Sequence, residues 1–370
     1  MKIAMIGQKG IPSRSGGIEV HVEEIAKRLV KKGCDVEVYC RKAHCLEKSR
    51  FFCGIRTIFT PYINSKSLEA ISHSLVSVLI AILRRSDVIH FHALGPSTLA
   101  FLPRIFGIKV VCTVHGLDWK RDKWGRLSKK YLMYGECATA KLANRTITVS
   151  ESLVDYYKEK YGKEIEYISN GIEVKECVPA NIITEKFRLE ENSFILYLGR
   201  LVPEKGVHYL IQAYKRVNTS KKLVIAGGSS HSNGYERELH EMAGGNPDII
   251  FTGFILGEML EEIMSNAYIY VLPSDVEGMP ISLLEALSYG RCCLVSDIGE
   301  NKAVVSSYGY TFKQGDTDDL AYKLQMLLDN EEMTNNNRNR IIEYIEGEFS
   351  WDNSAEQTYR LYKKLLEDIG

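Results

Sequence analysis

The first 40 residues alternate short apolar runs with a helical apolar spacing, and this pattern narrows the possible folds most. Lys2–Gly7 (K-I-A-M-I-G) reads as a buried strand. Ile18, Val22, Ile25 and Leu29, ending at Gly33, have the spacing of one helix face, and Asp35–Cys40 (D-V-E-V-Y-C) reads as a second strand. The result is a βαβ unit. Further strands are predicted at Val88–His90, Lys109–Val114 and Thr146–Val149, with helical patterns near Leu68–Leu83 and Leu127–Leu142. Such alternation implies a parallel sheet covered on both faces.

The alternation lapses over Gly171–Asn192, which contains Pro179 and a polar, acidic run. It restarts with Phe194–Leu198 (F-I-L-Y-L), Val207–Val217 and Lys222–Ala226 (K-L-V-I-A), and continues through Ile249–Phe251, Ala267–Leu272 and Cys292–Ser296. The expected fold is therefore α/β, with two Rossmann-like parallel-sheet domains facing each other across a cleft. Residues 1–175 are expected to form an N-terminal domain, 176–191 a connection, 192–350 a C-terminal domain, and 351–370 a terminal helix. At 370 residues and 45% hydrophobic, the chain has enough material for two such cores. In folds of this kind, ligands bind at the carboxyl ends of the strands.

No apolar run approaches the roughly 20 residues of a membrane-spanning helix, and the start of the chain is a strand rather than a signal-peptide core. A cytoplasmic location is expected. The nine cysteines lack metal-ligand spacing and read as reduced, partly buried thiols. The net charge of zero hides an asymmetry, +12 over residues 1–170 and −12 over 171–370. A basic half suits an anionic membrane surface or nucleic acid. No zinc-finger spacing or RNA-binding module supports nucleic acid. The densest basic run, Lys120–Lys130, carries Trp119 and Trp124 and fits a membrane-side patch through Lys120, Arg121 and Lys123, or else a solvated face. Ser67–Leu83, rich in Leu, Ile and Val, could receive lipid or simply pack.

Four stretches could carry chemistry. Gly7–Gly17 (G-Q-K-G-I-P-S-R-S-G-G) is neither a dinucleotide fingerprint nor a Walker loop. It does set Gly16 and Gly17 at a helix start, where backbone can approach a phosphate or sugar, with Arg14 as an accompanying cation. His115 follows the strand V-V-C-T-V at a sheet edge, as a turn residue or a hydroxyl partner in the cleft. Gly199–Gly206 (G-R-L-V-P-E-K-G) places Arg200 and Lys205 across a proline turn, able to neutralise a leaving diphosphate or merely to decorate the surface. In Ser274–Glu285 (S-D-V-E-G-M-P-I-S-L-L-E), Gly278 and Pro280 put Glu277 in a loop and Glu285 on a helix start. A loop acid and a helix acid can close on one polyhydroxylated ligand, or be a cap and an ordinary Glu. No metal site is expected; Asp316-Thr317-Asp318 reads as a helix cap.

Taken together, these motifs resemble the family 4 retaining glycosyltransferases of the GT-B fold. The likeness rests on Gly16-Gly17, T-V-H-G at His115, G-R-L-V-P-E-K-G, F-T-G-F around Gly253, E-G-M-P-I-S-L-L-E-A at 277–286, S-D-I-G at 296–299 and Ser350-Trp351. The resemblance implies that Glu285 holds the donor ribose, that Glu277 faces the transferred sugar, and that Gly278, Met279 and Pro280 lie near sugar and diphosphate. It further implies that Arg200 and Lys205 supply charge, Gly16 and Gly17 approach the phosphates, His115 contacts the donor sugar, Gly253 flanks the base, and the terminal helix returns to the first domain. His115, Arg200, Lys205 and Glu277 would then be the catalytic group.

A narrower likeness, to bacterial capsule and exopolysaccharide rhamnosyltransferases, rests on G-Q-K-G-I-P-S-R-S-G-G-I-E, H-G-L-D-W-K-R-D-K-W-G and Y-G-E at 134–136. It implies a dTDP- or UDP-sugar donor, dTDP-rhamnose among them, no further cofactor, no metal, and a lipid-linked (undecaprenyl-diphosphate) saccharide acceptor. It also implies peripheral attachment at the inner face of the cell membrane. A transferase with a soluble acceptor, a sugar-nucleotide epimerase and a non-catalytic sugar-binding module share parts of this pattern. The sequence leaves the oligomeric state open.

Overall fold

The structure, a computed structural model, describes residues 1–13, 16–65, 68–120, 124–229, 233–335 and 338–367. The chain divides into two compact units, Met1–Gly171 with Trp351–Gly370, and Ile172–Ser350.

The first unit is built on β1 (Lys2–Ile6), β2 (Asp35–Cys40), β3 (Phe51–Phe52), β4 (Ile55–Phe59), β5 (Val88–His92), β6 (Lys109–Val114), β7 (Arg145–Thr148) and β8 (Glu166–Tyr167). They lie in the order β3-β4-β2-β1-β5-β6-β7-β8, parallel except for the β3–β4 hairpin. Ile3, Ala4, Met5 and Ile6 are fully buried, as a strand covered on both faces requires. The helix Gly17–Lys31 buries Val22, Ile25, Ala26 and Leu29, and the i,i+4 pairs Glu23–Lys27, with Glu23 buried, and Glu24–Arg28 brace successive turns. The helix Trp351–Glu367 packs on it through Arg28–Asp352 at 2.6 Å and Lys32–Glu356 at 2.5 Å.

The second unit carries β9 (Phe194–Leu198), β10 (Lys222–Ala226), β11 (Ile249–Gly253), β12 (Ile269–Leu272), β13 (Cys292–Ser296) and β14 (Tyr310–Phe312), all parallel in the order β11-β10-β9-β12-β13-β14. Residues 176–191 differ from a connection. They contain the helix Ile182–Phe187, and Ile183 and Leu189 are fully buried in this unit's core. Glu262 Oε2 accepts the N–H groups of Asn181 and Ile183, each at 3.0 Å. The polar run that suggested a linker is the outer face of this helix, where Glu185, Lys186, Arg188 and Glu190 are exposed.

All nine cysteines are unpaired, and six of them are buried. Asp316 caps the helix Thr317–Asp329 by accepting from the N–H groups of Asp318 and Asp319. Among the described residues, no helix is long and apolar enough to cross a membrane.

Candidate active site

In the second unit, glycines bring the strand ends together. Gly199 donates its N–H to the Ala226 carbonyl at 3.0 Å, and Gly227 donates to Gly253 at 2.9 Å. Gly227 has φ +133°, and a Cβ there would lie 1.8 Å from the Gly199 carbonyl oxygen, so a side chain would force β9 and β10 apart. Arg200 follows, half-buried, with its carbonyl accepting from Tyr197 OH at 2.9 Å. Its guanidinium has no ion-pair partner among the described residues.

The chain next makes one 3₁₀ turn, Pro203–Lys205, and passes through Gly206 at φ +66°. A Cβ at Gly206 would sit 2.0 Å from the Pro273 carbonyl oxygen, so this turn seats directly on the end of β12. Asp275 N–H donates to the Glu204 carbonyl at 2.9 Å and fixes the loop that follows. As a result Lys205 Nζ donates to Glu277 Oε1, which also accepts from Ser274 Oγ at 2.7 Å. Both side chains are largely buried, 15% exposed for Lys205 and 8% for Glu277. Lys205 and Glu277, assigned by resemblance to different parts of a donor, are thus joined to each other. A lysine and a carboxylate locked in a poorly solvated strand-end pocket form a preorganised charge pair.

Gly278 and Met279 are half-buried, and Pro280 is the N-cap of the helix Ile281–Ser288, offering no side-chain cap. Glu285 stands half-buried in the second turn of this helix, and Gly253, at φ +68°, ends β11. Glu204 was not singled out from sequence. It is buried and neither carboxylate oxygen has a hydrogen-bond partner among the described residues. Its only sequence signal was its place beside Lys205.

In the first unit, Gly16 is the N-cap of the helix Gly17–Lys31. Glu19 reaches back from the first turn so that its Oε1 accepts the Lys9 N–H at 2.9 Å, pinning the glycine loop. His115 follows β6 at half burial and meets two histidines that sequence reasoning missed. His92 Nδ1 lies 3.3 Å from His115 Nε2, and the His21 ring is centred 4.8 Å from the His115 ring. The sheet order explains the meeting: β5 and β6 are neighbours, so the residues at their carboxyl ends converge. The available signal was H-F-H at 90–92 ending one strand just as His115 follows the next.

Burial pushes His21 down to about 4, against a bond to Asn170 that raises it; burial likewise takes His90 to about 3 and His92 well below its ordinary value. These imidazoles are neutral at pH 7.

The aromatic-basic patch is put together differently from the expectation. Trp119 Nε1 donates to Glu136 Oε2 at 2.6 Å, and both Trp119 and Trp124 are half-buried against an inner cluster that includes Leu132 and Leu153. Lys120 is exposed. Arg14, Arg121 and Lys123 lie outside the described residues. The Y-G-E motif is architectural: buried Glu136 also accepts from Tyr156, Lys160 and Tyr161 at 2.8–2.9 Å, and a Cβ at Gly135 would fall 2.1 Å from the Leu94 carbonyl oxygen.

Comparison with known proteins agrees with this fold. Residues 180–347 match the family model described as glycosyl transferases group 1, and residues 15–176 match that of glycosyltransferase family 4. The solved structure of sucrose-phosphate synthase from Thermosynechococcus elongatus superimposes with a TM-score of 0.84 at 21% identity, over 99% of both chains. The chain is a glycosyltransferase of the GT-B fold. An uncharacterized glycosyltransferase of Methanocaldococcus jannaschii is 27% identical to it over the full length of both chains. An Escherichia coli relative named UDP-Gal:alpha-D-GlcNAc-diphosphoundecaprenol alpha-1,3-galactosyltransferase is 26% identical over 92% of each chain. In this glycosyltransferase the Lys205–Glu277 pair and Arg200 lie in the loops that follow β9 and β12, and Glu285 on the helix Ile281–Ser288, all in the unit matched by the group 1 model.

Proposed function

We propose that this glycosyltransferase moves a hexosyl unit, with retention at the anomeric carbon, from a nucleoside diphosphate sugar to a lipid-linked saccharide during cell-surface polysaccharide synthesis. It works as a peripheral protein at the inner face of the cell membrane. Arg200 and Lys205 stabilise the charge that grows on the departing diphosphate, and Glu285 binds the ribose hydroxyls. Glu277, held by Lys205 and Ser274, faces the transferred sugar. The leaving diphosphate takes the acceptor proton on the same face.

The observation that carries the lipid side of this reading is an inverted helix. Glu69–Leu83 turns His73, Ser74, Ser77, Val78 and Ala81 inward and exposes Leu75, Leu79 and Leu83, the last at 81%. The helix Phe101–Ile105 packs beside it and exposes Phe101, Ile105 and, just beyond, Phe106. Arg84, Arg85 and Arg104, all exposed, border these apolar groups. An outward apolar stripe with basic flanks suits an anionic lipid surface. The E. coli relative, named for a diphosphoundecaprenol-linked acceptor, supports the same class of acceptor.

For the donor we favour a dTDP- or UDP-sugar. The G-Q-K-G-I-P-S-R-S-G-G-I-E loop favours dTDP-rhamnose, and the relative named for galactosyl transfer makes UDP-galactose its competitor. The test is calorimetry across UDP-, dTDP-, GDP- and ADP-sugars, followed by transfer assays on lipid-linked acceptors, with flotation on anionic vesicles. Leu79→Glu with Phe106→Glu should abolish flotation. Vesicle binding unchanged in that variant, or turnover on soluble acceptors alone, would remove the membrane part of the reading.

A further inference from the structure

We propose that Arg41 Nε and His73 Nε2, at the carboxyl end of β2, bind one hydroxyl of the acceptor saccharide, an assignment that rests on the glycosyl transfer proposed above. Arg41 directly follows β2, and His73 lies on the inward face of the helix Glu69–Leu83. Both residues are buried, at 6% and 1% exposure, and neither atom has a hydrogen-bond partner among the described residues. Buried polar atoms are rarely left so, and two at one strand end call for an occupant.

Their neighbours are satisfied. Thr60 Oγ1, just past β4, bonds Ser77 Oγ at 3.0 Å, and the hydroxyls of Ser74 and Ser77 donate to the carbonyls of Ala70 and His73, each at 2.7 Å. The two bare atoms have opposite character. The His73 ring donates to the Cys40 carbonyl, so its proton sits on Nδ1 and Nε2 is an acceptor. Arg41, the next residue after Cys40, is held through Nη1 by Glu69 Oε1 at 3.1 Å, which leaves its Nε–H as a donor.

One donor beside one acceptor selects the ligand. A hydroxyl accepts from Nε–H through a lone pair and gives its proton to Nε2, satisfying both. A phosphate or carboxylate oxygen has no proton to give and would leave Nε2 unpaired. Nor is the charge of Arg41 open to an anion, because Glu69 Oε1 pairs with it and also meets His44 Nε2 at 2.9 Å. The rim is more open than the floor: the side chains of His44 and Glu69 are 28% and 16% exposed, and half-buried Tyr62 sets its ring edge-on, 6.5 Å from that of His73. An aromatic face beside a few fixed polar groups is the composition of a small-molecule pocket. Leu79 follows His73 by about 9 Å along the same helix, whose leucines turn outward. A lipid resting on those leucines brings its saccharide within reach of Arg41 and His73.

The test is saturation-transfer NMR of the full chain with methyl glycosides of glucose, galactose, rhamnose and N-acetylglucosamine, against inorganic phosphate and acetate, paired with soaks of wild-type crystals in the sugar that binds best. At least one neutral glycoside should bind, with a hydroxyl seated between Arg41 Nε and His73 Nε2, and neither anion should compete. Arg41→Lys keeps the charge for Glu69 but loses Nε–H, and His73→Asn keeps a donor for the Cys40 carbonyl but loses Nε2. Each should weaken binding about tenfold, while His73→Gln, which returns an oxygen near the place of Nε2, retains most of it. Donor binding should be unchanged in all three. No neutral glycoside bound, an ordered water alone at the two atoms, displacement of the sugar by phosphate, or affinity unmoved by both Arg41→Lys and His73→Asn would overturn the site. Glycosides held here without any transfer to lipid-linked saccharides would instead overturn the acceptor proposed above and leave the hydroxyl site standing.

Discussion

The two units solve the same architectural problem with different interiors. The second unit has one continuous apolar core from Ile183 to Phe349, and its candidate site residues lie in the loops and helix starts that follow its strands, while buried Glu262 serves the backbone of Asn181 and Ile183 elsewhere. The first unit breaks its apolar interior into separate clusters and places charged and titratable groups between them. Glu37, fully buried, is held by Arg84 at 2.6 Å and Lys2 at 3.1 Å; buried Glu136 serves four partners; His73, His90 and His92 are all at or near zero exposure. A buried polar network specifies geometry but fails when one member is lost, whereas an apolar core tolerates small changes. The second unit should therefore report mutations at its loops as changes in chemistry, and the first should report them as changes in stability.

The largest expected effect falls in the second unit. Lys205→Ala removes the cation at the strand-end pocket and should lower kcat about 100- to 1000-fold, with the fold of the unit retained. Steady-state transfer assays read the first outcome and circular dichroism the second. In the first unit, Glu136→Ala leaves Trp119 Nε1 and the hydroxyls of Tyr156 and Tyr161 without their acceptor and should cost about 3 kcal/mol of stability. Urea denaturation measures it. If Lys205→Ala melted its unit, or Glu136→Ala left the urea midpoint in place, the contrast between the interiors would break.

This contrast also explains what could be read from the sequence. Arg200, Lys205, Glu277 and Glu285 sit in two short motifs, each following a strand and each with its own turn glycine or proline, so local pattern was enough to single them out as candidates. His21, His92, His115 and Asn170 are spread over 150 residues. Only the sheet order β1-β5-β6 brings them together, and single-sequence periodicity does not encode strand order. The helix Glu69–Leu83 shows a second limit. Periodicity finds an apolar stripe but not the side on which the core lies, and here the leucines point outward. Trp119 beside lysines suggested an interface by composition, while its indole N–H is spent on Glu136, a partner 17 positions away.

Acid should separate the units next. Burial and the charge of Arg41 push His73 down to about 4, although its backbone bond to Cys40 and the carboxylate of Glu69 oppose the shift; His44 adds a smaller downward push. The folded state therefore keeps this ring neutral while the unfolded chain, near 6.5, takes up a proton. His73 costs nothing above about pH 6.5 and about 3 kcal/mol as pH drops from there toward 4, and the buried rings of His21, His90 and His92, lowered in the same direction, add to the loss. Glu24, Glu37 and Glu69 are held below the usual carboxylate range, so their contribution is present above about 4.5 and is lost only below it. In urea melts followed from pH 7.5 to 5, the transition of the first unit should move first. His73→Asn should make that slope shallower by the share of one ring; an unchanged slope would mean that the burial of His73 contributes nothing to it.

The smallest effect tests the division of labour proposed for Glu277 and Glu285. Glu285 lies on the second turn of Ile281–Ser288, one helix turn beyond the loop in which Glu277 is already engaged by Lys205 and Ser274. A carboxylate that holds two ribose hydroxyls contributes equally to bound substrate and to transition state, because the ribose does not change during transfer. Glu285→Ala should therefore raise KM for the donor about tenfold and leave kcat within about twofold, which is the signature of uniform binding. A fall in kcat of the size expected for Lys205→Ala would place Glu285 at the reacting sugar instead and would merge the two roles that the loop acid and the helix acid hold apart.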